Sequence, residues 1–306
     1  MDLILLVEQT LNGLQFGLML FLLAAGLTLV FGIMDMINLA HGSLYMVGAY
    51  LAASVAMATG SFTLALIGAV AGTAVFGALL EVSLLRTLYQ RDHLTQVLAT
   101  FALILIVNEG TRMIWGSQAL LLNIPESLSG PVELFAGLSY PAYRLLIIGV
   151  GVAVAAVLYL LVARTRVGML VRAGASNREM ALAMGVNVGR LFTAVFAVGA
   201  GLSALAGALL GPLLAVQVGM GESILILAFV VIVIGGIGSI RGALVGSLLV
   251  GFVDTFGRTL LPMGLRSVLP PAVASNLGPA LASILIYVLM AGVLFWRPQG
   301  LFPARG

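Results

Sequence analysis

The sequence contains no cysteine and no lysine, and it has few charged residues of any kind. All 14 basic residues are arginines, and charged residues make up 8% of the 306-residue chain. The lack of cysteine excludes disulfides, thiolate metal sites and thiol catalysis. The lack of lysine excludes Schiff-base chemistry and the lysine of a phosphate-binding loop. Soluble domains carry about 25% charged residues, so a chain with so little charge and 61% hydrophobic residues is an integral membrane protein.

Long apolar runs fill most of the chain, and 38 glycines suit helices that pack closely in lipid. A spanning helix needs ~20 mostly apolar residues. The sequence therefore predicts an all-α polytopic membrane protein of about 8–10 transmembrane helices, forming a single domain over residues 1–306. The predicted spans lie at about 11–33, 43–58, 62–85, 94–110, 145–163, 191–211, 223–240, 242–257 and 279–296.

The segment 164–190 is the most basic part of the chain. It carries five arginines against a single acid, Glu179. Arginine-rich short loops are held on the cytoplasmic side during insertion, so this segment and the basic loop 86–93 should be cytoplasmic. The N-terminus is then outside and the C-terminus cytoplasmic, while the segments 109–144 and 258–278 are external loops.

The basic segment is predicted to contain a short helix. Ser176 and Glu179 have the spacing of a capping box at its start, and Gly185 is placed to end it in the left-handed conformation. The residues between them, 180–184, are good helix formers. About two turns are not stable alone in water, so the helix should dock on a partner's groove. The alternative is that it rests on its own protein or on lipid headgroups.

Two predicted span junctions are interrupted by polar or glycine-rich residues, at 38–43 and at 235–242. Such breaks in opposite halves of a chain indicate an inverted repeat with broken helices and a pathway at its interface. The alternative is an ordinary tight turn at each place, and residues 35–45 are left open as a loop or a half-helix. The candidates for lining or hinging the pathway are Asn38, His41, Gly42, Ser43, Tyr45, Gly48, Gly235, Gly236, Gly238, Ser239, Gly242 and Gly246.

Other functional classes find little support in the residues. An intramembrane hydrolase built on His41 and Ser43 would lack an orienting acid beyond Asp35. An ion-coupled secondary transporter needs an intramembrane ion site, and no mid-span pair of carboxylates is present. A scaffold without transport would leave the glycine breaks unexplained. No basic patch is large enough for nucleic acid, and we expect no catalytic or metal site.

On these residues, the sequence resembles the permease subunits of ABC importers for branched-chain amino acids, over essentially its whole length. The most specific matches are the segment 38–49, the glycines of 235–246 and the tail 297–302. The segment 179–185 is similar to the general ABC-permease loop with its Glu-Ala-Ala-x-x-x-Gly core, from which Met180 departs.

The resemblance implies that the short helix is a coupling helix seated on an ATP-hydrolysing subunit. It further implies a second homologous permease subunit, two cytoplasmic ATPases that bind ATP and Mg²⁺, a periplasmic substrate-binding protein and a bacterial inner membrane. This chain would bind no cofactor and would not be an enzyme. Leucine, isoleucine and valine are the implied substrates, with urea, short amides or aromatic acids as alternatives. The candidate coupling residues are Ser176, Arg178, Glu179, Ala181, Met184 and Gly185.

Overall fold

A computed structural model describes residues 3–36, 38–135 and 137–303 of the chain. In this part, eight helices are long and apolar enough to cross a membrane, which confirms the predicted all-α polytopic fold. A π-helical turn, Glu81–Leu85, joins the third helix to the fourth. The first five helices are α1 Leu3–Met34, α2 His41–Thr59, α3 Phe62–Leu80, α4 Arg86–Leu88 and α5 His93–Trp115.

A small hairpin that the sequence did not predict follows α5. Its strands, β1 Pro131–Phe135 and β2 Leu138–Pro141, pair antiparallel. Tyr140 on β2 donates from its hydroxyl to Asn12 of α1 at 2.9 Å, which holds the hairpin against the helical body. The remaining helices are α6 Ala142–Arg164, α7 Arg166–Ser176, α8 Arg178–Ala183, α9 Val188–Leu210, α10 Met220–Gly235, α11 Ile240–Leu265 and α12 Pro271–Trp296.

The core is formed mainly by α1, α2 and α9, whose side chains are mostly buried by other helices. The outer helices α3, α5, α6 and α12 instead expose large apolar side chains, among them Ile67, Ile106, Val157 and Val288. An outer face of this kind cannot be solvated by water and fits lipid or a second membrane subunit. Together with its eight apolar helices, this makes the chain a multi-pass membrane protein.

Two units of the chain, α1–α3 and α9–α11, pack against each other reciprocally. Helix α1 lies on α11, where a Cβ added to Gly251 would be 2.6 Å from the Cα of Gly17. Helix α9 lies on α3, where a Cβ on Gly77 would be 2.6 Å from the Cβ of Ala200. Only residues without side-chain bulk allow backbones to approach this closely. The exchange of partners, α1 with α11 and α9 with α3, is the packing expected of an internal repeat.

The two interrupted segments that the sequence analysis paired, 38–43 and 235–242, are not the corresponding segments of the two units. The break at 38–43 does not face 235–242, because Gly42 at the start of α2 lies directly against Gly221 at the start of α10. The counterpart of the first break is therefore the segment 211–219, between α9 and α10. The break at 235–242 instead joins the ends of α10 and α11, as the tight turn at Gly60 joins α2 and α3.

Helix α10 is shorter than the predicted seventh span, 223–240. Its 16 residues extend about 24 Å, less than the ~30 Å hydrocarbon thickness of a bilayer. The helix ends at Gly235 because Gly236 and Gly238 adopt positive φ angles of 105° and 81°, which no helix allows.

The predicted external loop 258–278 is mostly helical and shrinks to residues 266–270. Although the segment contains several prolines, Pro262 lies inside α11 and Pro271 is at the first turn of α12. A proline in the first turn loses no helical hydrogen bond. The ring of Pro262 packs directly on Gly278 of α12, so tertiary contact stabilises this last part of α11.

Candidate coupling segment and translocation pathway

The basic segment 164–190 folds as two short helices, α7 and α8, followed by the start of α9. The predicted capping box is wrong by one residue, because Ser176 is the last residue of α7. Asn177 is the N-cap of α8, with φ −153° and ψ 100°, and its side-chain oxygen accepts from the N–H of Met180 at 2.9 Å. Since the cap is Asn177, Glu179 lies one position too early to complete the reciprocal bond of a capping box.

The predicted end of this helix at Gly185 is confirmed. Gly185 has a φ of 81°, and two backbone bonds close the turn around it. Its N–H donates to Leu182 O, and the N–H of Val186 donates to Ala181 O, both at 3.0 Å. This 5→2 and 6→1 pair is a Schellman motif, which needs a left-handed residue at Gly185. The motif rigidly sets the direction in which the chain leaves α8.

Helix α8 presents apolar side chains outward. Met180, Leu182 and Met184 are 60%, 51% and 79% exposed. Met180 and Met184 are four residues apart and share one side of the helix, and we refer to these two side chains as the α8 patch. Ala181 is 5% exposed and faces the body of the protein. Glu179 is exposed beside the patch. The structure describes the backbone of Ser176 and Arg178 but not their side chains. An exposed apolar patch on a short, capped helix is a surface that a protein partner can cover.

Helix α9 connects α8 to the core. It begins at Val188, where Asn187 accepts from the N–H of Arg190 at 3.0 Å. Within its second turn, the hydroxyl of Thr193 donates to Glu81 Oε2 at 2.6 Å. Glu81, on the π-helical turn after α3, is fully buried and pairs with Arg86 at 3.0 Å. These hydrogen bonds join the start of α9 to the end of α3.

The segment 38–48 is buried among the central helices. Asn38, His41, Ser43 and Tyr45 are all less than 5% exposed. Gly48 lies directly against Ala204 of α9, where a side chain has no room. Irregular backbone at membrane depth persists only where protein or a water-lined cavity covers it, and here protein does. Gly42 and Gly221 bring the first turns of α2 and α10 into contact.

His41 ties the start of α2 to the middle of α9. The hydroxyl of Ser203 lies 2.7 Å from His41 Nε2 and 3.0 Å from Gly199 O, within hydrogen-bond distance of both. This arrangement orients the ring but provides no carboxylate that would make it a general base.

Three glycines of the segment 235–246 form a close junction between α10 and α11. Gly235 and Gly242 lie directly against each other, and a Cβ on Gly246 would be 2.6 Å from Val231 O. The chain tail 297–303 folds back onto this junction. The N–H of Leu301 donates to Ile234 O at 2.9 Å, and that of Phe302 donates to Gly235 O at 2.8 Å. The tail thus satisfies the last carbonyls of α10.

Two of the candidate pathway residues, Gly238 and Ser239, line a cavity of about 500 Å³. The cavity lies where the ends of α1 and α6 meet α7 and the start of α11, on the face that carries the basic segment. The sequence did not predict it, because Arg172 was counted only as part of the basic segment and Arg241 was given no role. Its described lining residues are Thr28, Leu29, Gly32, Ile33, Tyr159, Val162, Ala163, Val171, Arg172, Ala175, Gly238, Ser239, Ile240, Arg241 and Pro303.

Comparison with protein families places residues 9–294 in the family described as branched-chain amino acid transport system / permease component. No solved structure matches the chain. A similar protein is the high-affinity branched-chain amino acid transport system permease protein BraD of Pseudomonas aeruginosa, 30% identical over 96% of this chain and 95% of its own length.

Two further relatives are also named as branched-chain amino acid transport permease proteins. The high-affinity branched-chain amino acid transport system permease protein LivH of Escherichia coli is 28% identical over 86% of this chain and 89% of its own length. A probable permease protein LivH of Methanocaldococcus jannaschii is 29% identical over 78% and 76%. The matches extend along α1 to α12 and include both units of the repeat. The chain therefore belongs to the family of branched-chain amino acid transport permease components.

Proposed function

We propose that the chain is the pore-forming permease subunit of an ATP-driven importer of leucine, isoleucine and valine. The family supports the transport role, and the names of the relatives supply the substrate class. The observation that carries ATP coupling is the α8 patch, an exposed apolar surface on a helix that is capped at both ends. Separate ATPase subunits bind ATP and Mg²⁺, and one of them covers this patch.

Helix α9 is the element that transmits the movement of α8. It starts three residues after Gly185 and contacts the core at three levels. Thr193 bonds to Glu81 at the end of α3, Gly199 lies against Gly26 of α1, and Ser203 bonds to His41 of α2. A rigid shift of α9 therefore moves all three helices of the first unit. The small residues at these contacts allow helices to slide past each other while remaining packed.

The assembly follows from the distribution of charge. Segment 164–190 faces the cytoplasm of a bacterium across its inner membrane, because arginine-rich loops are not translocated. The N-terminus and the hairpin of β1 and β2 are then outside, where they and residues 266–270 receive a periplasmic substrate-binding protein. A second homologous permease subunit covers part of the exposed apolar surface of the outer helices.

The buried carboxylates disfavour coupling to an ion gradient. Glu81 and Asp254 lie in spanning helices, and each is paired with an arginine on its own segment, Arg86 at 3.0 Å and Arg258 at 2.8 Å. An arginine already neutralises each carboxylate, so neither carboxylate is free to bind a transported cation. Within the described residues, no cluster of three acidic or histidine side chains forms a metal site.

Co-purification with the ATPase subunits encoded beside this chain tests the proposal. Met184→Glu places a charge in the α8 patch. Apolar anchors at interfaces are often worth about 2 kcal/mol or more, so we expect recovery of the ATPases to fall about 30-fold. Gly185→Pro should act in the same direction, because proline cannot adopt the φ of 81° found there.

Val268→Glu is the matched control. Val268 is 82% exposed on the opposite face, between α11 and α12, and the same charge there should leave ATPase recovery unchanged. Leucine uptake by the reconstituted assembly with its binding protein should require ATP hydrolysis. If the chain purifies without ATPases and moves leucine along an ion gradient, the proposal is wrong.

A further inference from the structure

The cavity at the inner ends of α1, α6 and α11 has a composition that the transport role does not explain. Two cations, Arg172 and Arg241, line it, and no acidic side chain is among its described lining residues. Most of the remaining wall is apolar, including Leu29 and Ile33 of α1. A site of this kind accommodates a molecule with an anionic head and an apolar body.

The two arginines are held in place without losing their charge. Arg241 stacks over the ring of Tyr159, with its guanidinium carbon 5.3 Å from the ring centre, and donates to the Tyr159 hydroxyl at 3.3 Å. Arg172 donates to the carbonyl of Val162. Neither arginine forms an ion pair within the described residues, where the pairs found involve Arg86, Arg112 and Arg258. Their positive charge is therefore available to a ligand.

The amino end of α11 adds backbone donors to the same wall. Ser239 caps this helix by accepting from the N–H of Gly242 at 3.1 Å, and Ser239, Ile240 and Arg241 all line the cavity. The first turn of a helix favours a bound anion through its N–H groups and its dipole.

We propose that this cavity binds the phosphate headgroup of an anionic phospholipid, with the acyl chain lying against α1 and α6. Its position on the face of the basic segment rests on the proposed cytoplasmic orientation, where anionic headgroups meet basic pockets between transmembrane helices. A zwitterionic amino acid fits less well, because its ammonium group would find two arginines and no carboxylate. An occupied cavity joins α7, directly before α8, to α1 and α11, so the bound lipid stabilises the base of the coupling segment.

Lipid titration of the purified full-length chain, followed by native mass spectrometry, tests the assignment. Phosphatidylglycerol should bind to the native chain more tightly than phosphatidylcholine does. An arginine near the membrane surface contributes about fivefold to anionic-lipid affinity, so the double variant Arg172→Gln, Arg241→Gln should bind phosphatidylglycerol about 25-fold more weakly. Arg166→Gln is the control, because Arg166 is an exposed arginine on α7 that does not line the cavity.

A second measurement, maleimide labelling of single introduced cysteines, leaves both arginines unchanged. It is possible because the chain has no cysteine of its own. Ala163→Cys places a single thiol in the cavity wall, and Val167→Cys places one on the exposed surface of α7. At ten times its dissociation constant, phosphatidylglycerol should slow maleimide labelling of the first thiol about tenfold and leave the second unchanged.

Three results would overturn the proposal. In the first, the double variant binds phosphatidylglycerol as the native chain does. In the second, inorganic phosphate alone protects the thiol at position 163 as fully, which would make this a site for a free anion. In the third, leucine protects it, which would make the cavity part of the substrate pathway.

Discussion

The contact between α1 and α9 at Gly26 allows a quantitative test of the packing. A Cβ on Gly26 would lie 2.6 Å from Gly199 O and 2.9 Å from His41 Nε2. The first obstacle is backbone, so Gly26→Ala forces the two helices apart. Overpacking of a well-packed core costs about 1–3 kcal/mol, while replacing glycine by alanine in a helix gains about 1 kcal/mol. A net loss of about 2 kcal/mol is expected where the obstacle is rigid.

Two other glycines calibrate this estimate. A Cβ on Gly199 would be 3.0 Å from Gly26 O, which a shift of a few tenths of an ångström relieves, so Gly199→Ala should be near neutral. Gly110 in α5 has nothing within 4 Å of such a Cβ, so Gly110→Ala should gain the helix propensity alone, about 1 kcal/mol. The order of stability should be Gly110→Ala first, then Gly199→Ala, then Gly26→Ala.

Thermal unfolding of the purified chain in detergent, followed by tryptophan fluorescence, measures this order. In a chain of this size, 1 kcal/mol corresponds to about 2 °C in Tm. Gly26→Ala should therefore melt about 4 °C below the native chain and about 6 °C below Gly110→Ala. If Gly26→Ala and Gly110→Ala melt at the same temperature, α1 and α9 do not approach each other as closely as described.

Two more substitutions examine the hydrogen bonds that α9 makes to the core. Ser203→Ala leaves the buried Nε2 of His41 without its hydrogen-bond partner and should cost about 1–3 kcal/mol, measured by the same melting assay. Ser223→Ala at an exposed site should change little, and equal Tm values for the two variants would contradict the described bond. Glu81→Gln removes the charge that pairs with Arg86, and because Arg86 is 43% exposed the loss should be limited to about 1–2 kcal/mol. A double-mutant cycle of Glu81→Gln with Thr193→Val should show a coupling of at least about 0.5 kcal/mol, and strict additivity would show that the two side chains do not interact.

Features set by local residues were predicted well from the sequence. The spans follow from apolar runs, and Gly185 ends α8 because only glycine adopts its conformation without strain. The start of α8 was misplaced by one residue because Ser176 and Asn177 are both good caps. The choice between them depends on where α7 ends, which the packing of α7 on its neighbours decides.

Features set by distant contacts were not visible in the sequence. Nothing local in 211–219 shows that Gly221 returns to meet Gly42, since the two are far apart in the chain and only packing joins them. Proline usually interrupts helices, and the contact with Gly278 that stabilises Pro262 inside α11 was not foreseeable. Arg172 and Arg241 are 69 positions apart, so their convergence on one cavity required the tertiary structure.

The docked tail has a consequence for the order in which the protein is built. The carbonyls of Ile234 and Gly235 receive their donors from Leu301 and Phe302, which leave the ribosome after every helix described here. Folding during synthesis proceeds from the N-terminal end, so the Gly235 end of α10 is inserted before its final donors exist. The junction of α10 and α11 therefore completes last, as a closing step that follows insertion of α12. A premature stop codon before position 301 would leave these two carbonyls without their donors.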